Sequence, residues 1–128
     1  MRYLALDVGD RTIGLAVGDD AFGLVRPLRT LRRRGVAADL DSLRQIVAKE
    51  EVAALVIGLP LTLRGETGHQ ATRVRAFAES ARSLGLPLDL VDERFTTAEA
   101  ARRGADDLDA GAAVVLLEDF FAGRHRAR

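Results

Sequence analysis

The sequence predicts an α/β fold: a mixed five-stranded sheet, in which an antiparallel meander is extended by two parallel crossover strands, with helices on its faces. Three observations lead there. The chain opens with short strand-like runs joined only by tight turns. Apolar residues then recur at helical spacing in three later segments. Two further apolar runs, too brief for helices, lie between those segments.

Tyr3–Val8 and Ile13–Val17 are separated by GDRT, which signals a hairpin. Gly23–Thr30 reads as a weaker third strand, and Pro27 assigns it to an edge because proline cannot donate to a ladder. From Val36 to Glu50 the apolar positions Val36, Leu40, Leu43, Ile46 and Val47 follow a helical period. AALVI, residues 53–57, is a strand of the kind buried on both faces. Val74, Phe77, Ala78, Ala81 and Leu84 mark a second amphipathic helix, and LPLDLVD, residues 86–92, a fifth strand. Thr96 and Glu99 fit a capping box that opens a short helix. A last helix spans about Leu108 to Phe121. Meander, helix, strand, helix, strand, helix is the layout of an RNase H-like domain. No repeat, linker or low-complexity tract divides the chain, so residues 1–128 are expected to form one domain.

Composition narrows the chemistry. With no cysteine, disulfides, thiolate nucleophiles and thiolate metal sites are excluded. No window approaches a membrane span and the start lacks a signal-peptide pattern, so a cytoplasmic location is expected. A formal net charge of zero argues against a generic polyanion binder. The charge is nonetheless uneven. Arg26 to Arg34 holds five arginines and no acid, whereas Asp106 to Asp119 holds five acids and no base.

Three acids invite a functional reading. Alternation along the first strand places Leu4, Leu6 and Val8 on one face and Tyr3, Ala5 and Asp7 on the other. On the second strand Gly14, Ala16 and Gly18 share a face, and such small residues beside an acid leave room for an ion and a ligand backbone. Glu93 follows the fifth strand at the carboxyl edge, where ligands gather in sheets with crossover connections. Asp109 lies on the stripe of Ala112, Ala113, Leu116, Leu117 and Phe120, the face turned toward the sheet. A plainer reading is open for each: Asp7 as a strand-end acid bonded to turn amides, Glu93 paired with Arg94, Asp109 as a helix cap. An inward carboxylate costs several kcal/mol unless its charge is offset, and no arginine or lysine has a comparable inward position for all three. A divalent cation would serve. Hard oxygen donors without histidine or cysteine favour Mg²⁺ or Mn²⁺ over zinc. Two such ions can clamp the attacking water and the leaving oxygen of a phosphodiester.

Four ordered blocks carry a resemblance: LALDVGDRTIGLAVGD, VIGLPL with GETGHQATRVRAFAE, LVDERFTT and DAGAAVVLLEDFF. Across nearly the whole chain they resemble the YqgF/RuvX family of small RNase H-like proteins. Its members are described as Holliday junction resolvases and as nucleases maturing the 5′ end of the small-subunit ribosomal RNA precursor. The resemblance implies that Asp7, Glu93 and Asp109 are the catalytic, metal-holding acids and Arg11 the basic residue after the first turn. It also implies a Gly-Leu-Pro turn at Gly58, Leu59 and Pro60. Two departures stand out: Asp10 replaces a small hydroxyl residue, and GADDLD occupies a stretch that is often lysine-rich in relatives.

Arg11 and Arg64 are expected phosphate clamps, since a guanidinium binds phosphate oxygens in bidentate fashion. Gly58 ends the fourth strand at the same edge, and Arg32, Arg33 and Arg34 are expected to form a phosphate-binding loop. Few aromatics are available for base stacking, so backbone and shape recognition of structured RNA or branched DNA is expected. A resolvase must cut two strands symmetrically and would be a two-fold homodimer. Two other functions compete. DVGDRTIG also suggests an actin-like phosphotransferase, which needs two such domains around a nucleotide. A non-catalytic ribosome-assembly or nucleic-acid-binding protein would keep the fold without the chemistry.

Overall fold

A computed structural model describes residues 1–60, 68–92 and 109–123, with the side chain of Asp109 outside that description. The elements are β1 (Arg2–Val8), β2 (Thr12–Asp19), β3 (Leu24–Arg32), α1 (Val36–Lys49), β4 (Ala54–Leu59), α2 (His69–Ala81), a 3₁₀ turn (Arg82–Leu84), β5 (Leu88–Asp92) and α3 (Asp109–Phe121). The strands lie in the order β3-β2-β1-β4-β5. The β1–β2 and β2–β3 pairs are antiparallel, while β1–β4 and β4–β5 are parallel. This is the expected meander with two crossover strands.

Alternation along β1 sorts the core into two layers. Leu4, Leu6 and Val8, with Ile13, Leu15 and Val17 of β2, pack against Leu40, Leu43 and Ile46 of α1 and Val74, Phe77 and Ala78 of α2. Ala5, Ala16, Val56 and Val91 pack on the opposite face against Ala113, Leu116, Leu117 and Phe120 of α3. The side chains toward α3 are smaller, which lets that helix sit close. A Cβ on Gly18 would lie 2.7 Å from the Leu24 carbonyl oxygen and 3.2 Å from a Leu117 methyl.

Several boundaries differ from the sequence reading. β3 is an edge strand as expected, but it runs to Arg32 rather than ending at Thr30. Pro27 stands opposite Ala16 beside a register shift between Leu15 and Ala16, where the ladder tolerates its missing N–H. β4 continues through Gly58 and Leu59, so these two residues are buried strand and not turn. The helical period to Leu84 is shared between α2 and the 3₁₀ turn, which Gly85 closes with a left-handed φ of 76°. The short helix expected from Thr96 lies outside the described residues. Among the described residues no helix is long and apolar enough to cross a membrane.

Candidate active site

Asp7 is 4 % exposed, near the carboxyl end of β1. It shares its face with Tyr3 and Ala5, the side covered by α3, and its cross-strand partner is Gly14. The three parallel strands stop together. Leu6 is level with Ile57 and Ile57 with Leu90, so Val8, Leu59 and Asp92 form one carboxyl edge.

Aromatic contacts fix where the far end of α3 sits. The Tyr3 ring lies 5.2 Å from that of Phe120 and 5.5 Å from that of Phe121, centroid to centroid. The C-terminal turn of α3 therefore covers the start of β1. From Phe120 back to Asp109 the helix rises about 16 Å at 1.5 Å per residue. From Tyr3 to Asp7 the strand advances about 13 Å. The helix is thus long enough to span from the start of β1 to the level of Asp7. Ala112, Ala113, Leu116, Leu117 and Phe120 are all buried, so the stripe read from the sequence is the packed face.

Glu93 and Arg64 lie outside the described residues, as does the Asp109 side chain. Among the described residues no group of three His, Cys, Asp or Glu side chains assembles into a metal cage. What the edge does present at Asp7 is a buried carboxylate with no thiol anywhere in the chain, a donor chemistry suited to a hard divalent cation.

A second buried acid at this edge escaped the sequence reading. Asp92, 8 % exposed, ends β5 opposite Leu59. Its alternation with Leu88 and Leu90, which pack into the α1–α2 layer, assigns it to the face opposite Asp7. The signal was present in LPLDLVD, where Asp92 falls in step with the inward leucines.

The arginines at the β1–β2 turn and at the end of β3 divide into two kinds. Arg11, Arg32 and Arg34 are exposed, and Arg32 pairs with Thr12 at the end of β3, so it is strand rather than loop. Arg33 is turned inward, which corrects the expectation of a three-arginine phosphate loop. Its Nη1 donates to the Gly9 carbonyl at 3.0 Å, its Nε to Asp39 Oδ2 at 3.1 Å, and its guanidinium lies 5.0 Å from the centre of the Phe77 ring. Asp39, 3 % exposed, also accepts from the Arg34 backbone N–H at 2.9 Å. Asp10 forms an exposed ion pair with Arg73 of α2 at 3.4 Å, which balances this additional acid. His69 is exposed at the start of α2, and Gly58 is buried in β4 opposite Val91.

The RuvX family model, described as Holliday junction resolvase, matches residues 1–123. A relative from Anaeromyxobacter sp., named "Putative pre-16S rRNA nuclease", is 43% identical, with 98% of this chain and 99% of that protein covered. One of the same name from Moorella thermoacetica is 46% identical over 80% of this chain and 74% of its own length. Among solved structures, T. thermophilus RuvC in complex with a Holliday junction substrate matches with a TM-score of 0.63 at 15% identity, over 99% of both chains. That likeness is one of fold, and it agrees with the RNase H-like layout. By the model match and these identities over most of its length, the chain belongs to the RuvX family of nucleases.

Proposed function

We propose that this chain, as one RNase H-like domain over residues 1–128, is a metal-dependent nuclease that hydrolyses phosphodiester bonds in structured nucleic acid. Its substrate on this reading is the 5′ end of the pre-16S ribosomal RNA, with four-way DNA junctions as the second candidate. The observation that carries the proposal is buried Asp7 at the carboxyl edge, with α3 anchored over the start of β1 and long enough for its first residue, Asp109, to reach that level. The relatives named for pre-16S rRNA processing support the RNA substrate. The family description supports the junction.

On this reading Asp7, Glu93 and Asp109 hold Mg²⁺ or Mn²⁺. When bound, such ions polarise water and stabilise charge on a phosphodiester. The rest falls to the protein. Gly14 opposite Asp7 leaves the carboxylate space on its own face, and burial limits its motion. On this reading exposed Arg11, Arg32 and Arg34 engage backbone phosphates through bidentate hydrogen bonds, and Arg64, outside the described residues, is assigned the same role from the sequence. Gly58, assigned to substrate binding from the sequence, is buried in β4 opposite Val91, and on this reading its lack of a side chain serves the edge without a direct contact. Cutting a junction would require a homodimer so that two sites meet two strands; trimming RNA would not. A cytoplasmic location fits both substrates.

The test offers the purified protein a four-way junction and a structured ribosomal precursor RNA side by side, with Mg²⁺ or Mn²⁺ and with Asp7→Asn as control. Cleavage of either substrate by the wild type alone is the expected result. Equal cleavage by the variant, or none by either protein, would refute the assignment.

A further inference from the structure

We infer that Arg33 is a positioning residue for the metal-holding edge and not a contact to nucleic acid. The inference rests on the nuclease reading above and names a component of the same site. Asp7 is followed within two residues by the turn Gly9–Arg11, and Arg33 pins that turn at both ends. Its side chain donates to the Gly9 carbonyl at 3.0 Å, and its backbone N–H donates to the Arg11 carbonyl at 2.8 Å. The Gly9 N–H closes the turn onto the Thr12 carbonyl at 2.8 Å.

The guanidinium is itself fixed from two helices. Asp39 in the first turn of α1 holds its Nε from a site 3 % exposed, and the guanidinium carbon lies over the Phe77 ring of α2. Only 20% of the Arg33 side chain is exposed. The turn after Asp7 is therefore hung from α1 and α2 through one planar group. A planar fork can donate in two directions while stacking on a ring, and an ammonium cannot reproduce that set. Groups that orient a metal ligand without touching the metal typically change affinity or activity by about 10–100-fold when altered.

The experiment compares wild type, Arg33→Lys, Arg33→Ala and Asp7→Asn. It measures the melting midpoint without metal, Mn²⁺ affinity by titration calorimetry, and kcat and KM on whichever substrate the wild type cleaves. Arg33→Lys keeps the charge and serves if the alanine protein fails to fold. The expected result is that Arg33→Lys is folded at the assay temperature and binds Mn²⁺ about tenfold or more weakly. Its kcat should fall with KM nearly unchanged. A raised KM and shallower salt dependence at normal Mn²⁺ affinity would make Arg33 a phosphate ligand and overturn the inference. A lowered melting midpoint with normal Mn²⁺ affinity and kcat would overturn it as well, leaving a structural role. If Asp7→Asn loses Mn²⁺ binding while Arg33→Lys matches wild type, only this inference fails. If the wild type neither binds Mn²⁺ nor cleaves, the nuclease reading fails and takes the inference with it.

Discussion

Asp7 and Gly14 face each other across the antiparallel β1–β2 ladder, on the side of the sheet covered by α3. Directly opposed Cβ positions in such a ladder are about 4.5–5.5 Å apart, so Gly14 sets no side chain of its own beside the carboxylate. Gly14→Val would place a branched side chain in that space. It should reduce Mn²⁺-dependent cleavage about tenfold or more and lower stability by about 1–3 kcal/mol. Cleavage assays below the melting midpoint, together with chemical denaturation, separate the two effects.

Asp109 opens α3, and on the proposed reading it shares a metal site with Asp7. Clustered acids repel one another when no cation is bound, so Asp109→Asn should leave metal-free stability unchanged or raised while abolishing Mn²⁺-dependent cleavage. If Asp109 is only a cap, asparagine substitutes almost freely and cleavage persists. Melting in chelator and cleavage in Mn²⁺ read the two properties independently.

Arg32 and Arg34 are exposed on either side of inward-facing Arg33. Replacing both with glutamine, and leaving Arg33 in place, should weaken binding and flatten its salt dependence. The log–log slope should become shallower by about 0.7–0.9 for each phosphate no longer neutralised. Binding isotherms across a salt series provide the slope. An unchanged slope returns both side chains to solvent.

At the other end of β2, Gly18 leaves no space for a side chain, because an added Cβ would lie 2.7 Å from the Leu24 carbonyl oxygen. Backbone is the obstacle, so a side-chain rotation cannot relieve it. Gly18→Ala should cost about 1–3 kcal/mol in equilibrium unfolding while preserving cleavage at permissive temperature.

Asp19 closes the β2–β3 turn by accepting the Ala21 backbone N–H at 2.8 Å. That hydrogen bond, ahead of the neighbouring N-terminal amine, holds its carboxyl below the ordinary value of 3.8. A group whose pKa is lowered by folding adds stability above its unfolded value and loses it as pH falls through the folded one. The difference in melting midpoint between wild type and Asp19→Asn should therefore be constant near neutral pH and narrow below about pH 4. A gap that is constant through acid pH would exclude a contribution from this ionisation.

The local pattern of the chain was enough to read the element types and the two-layer sorting of the sheet. Strand alternation and helical spacing are short-range properties, and each of Leu4, Leu6, Leu43 and Phe77 lies in the layer its own period assigns. Strand ends were less legible. Gly58 and Leu59 extend β4 because the parallel partner β5 offers them a ladder to Asp92, and no local signal specifies a partner's length.

Three of the acids at issue stand 16 or more residues apart in sequence, and residue types with spacing sufficed to single out Asp7, Glu93 and Asp109. What the sequence by itself determined was this: a cysteine-free chain of one sheet architecture, with Asp7 near the end of its first strand. Only the tertiary structure decided where the end of α3 meets β1, and that Arg33, in a run of similar arginines, turns inward. Both depend on partners remote along the chain: Phe120 against Tyr3, and Gly9, Asp39 and Phe77 around one guanidinium. A periodic pattern specifies which face is buried, whereas the identity of the group it meets there is settled by packing of the whole chain.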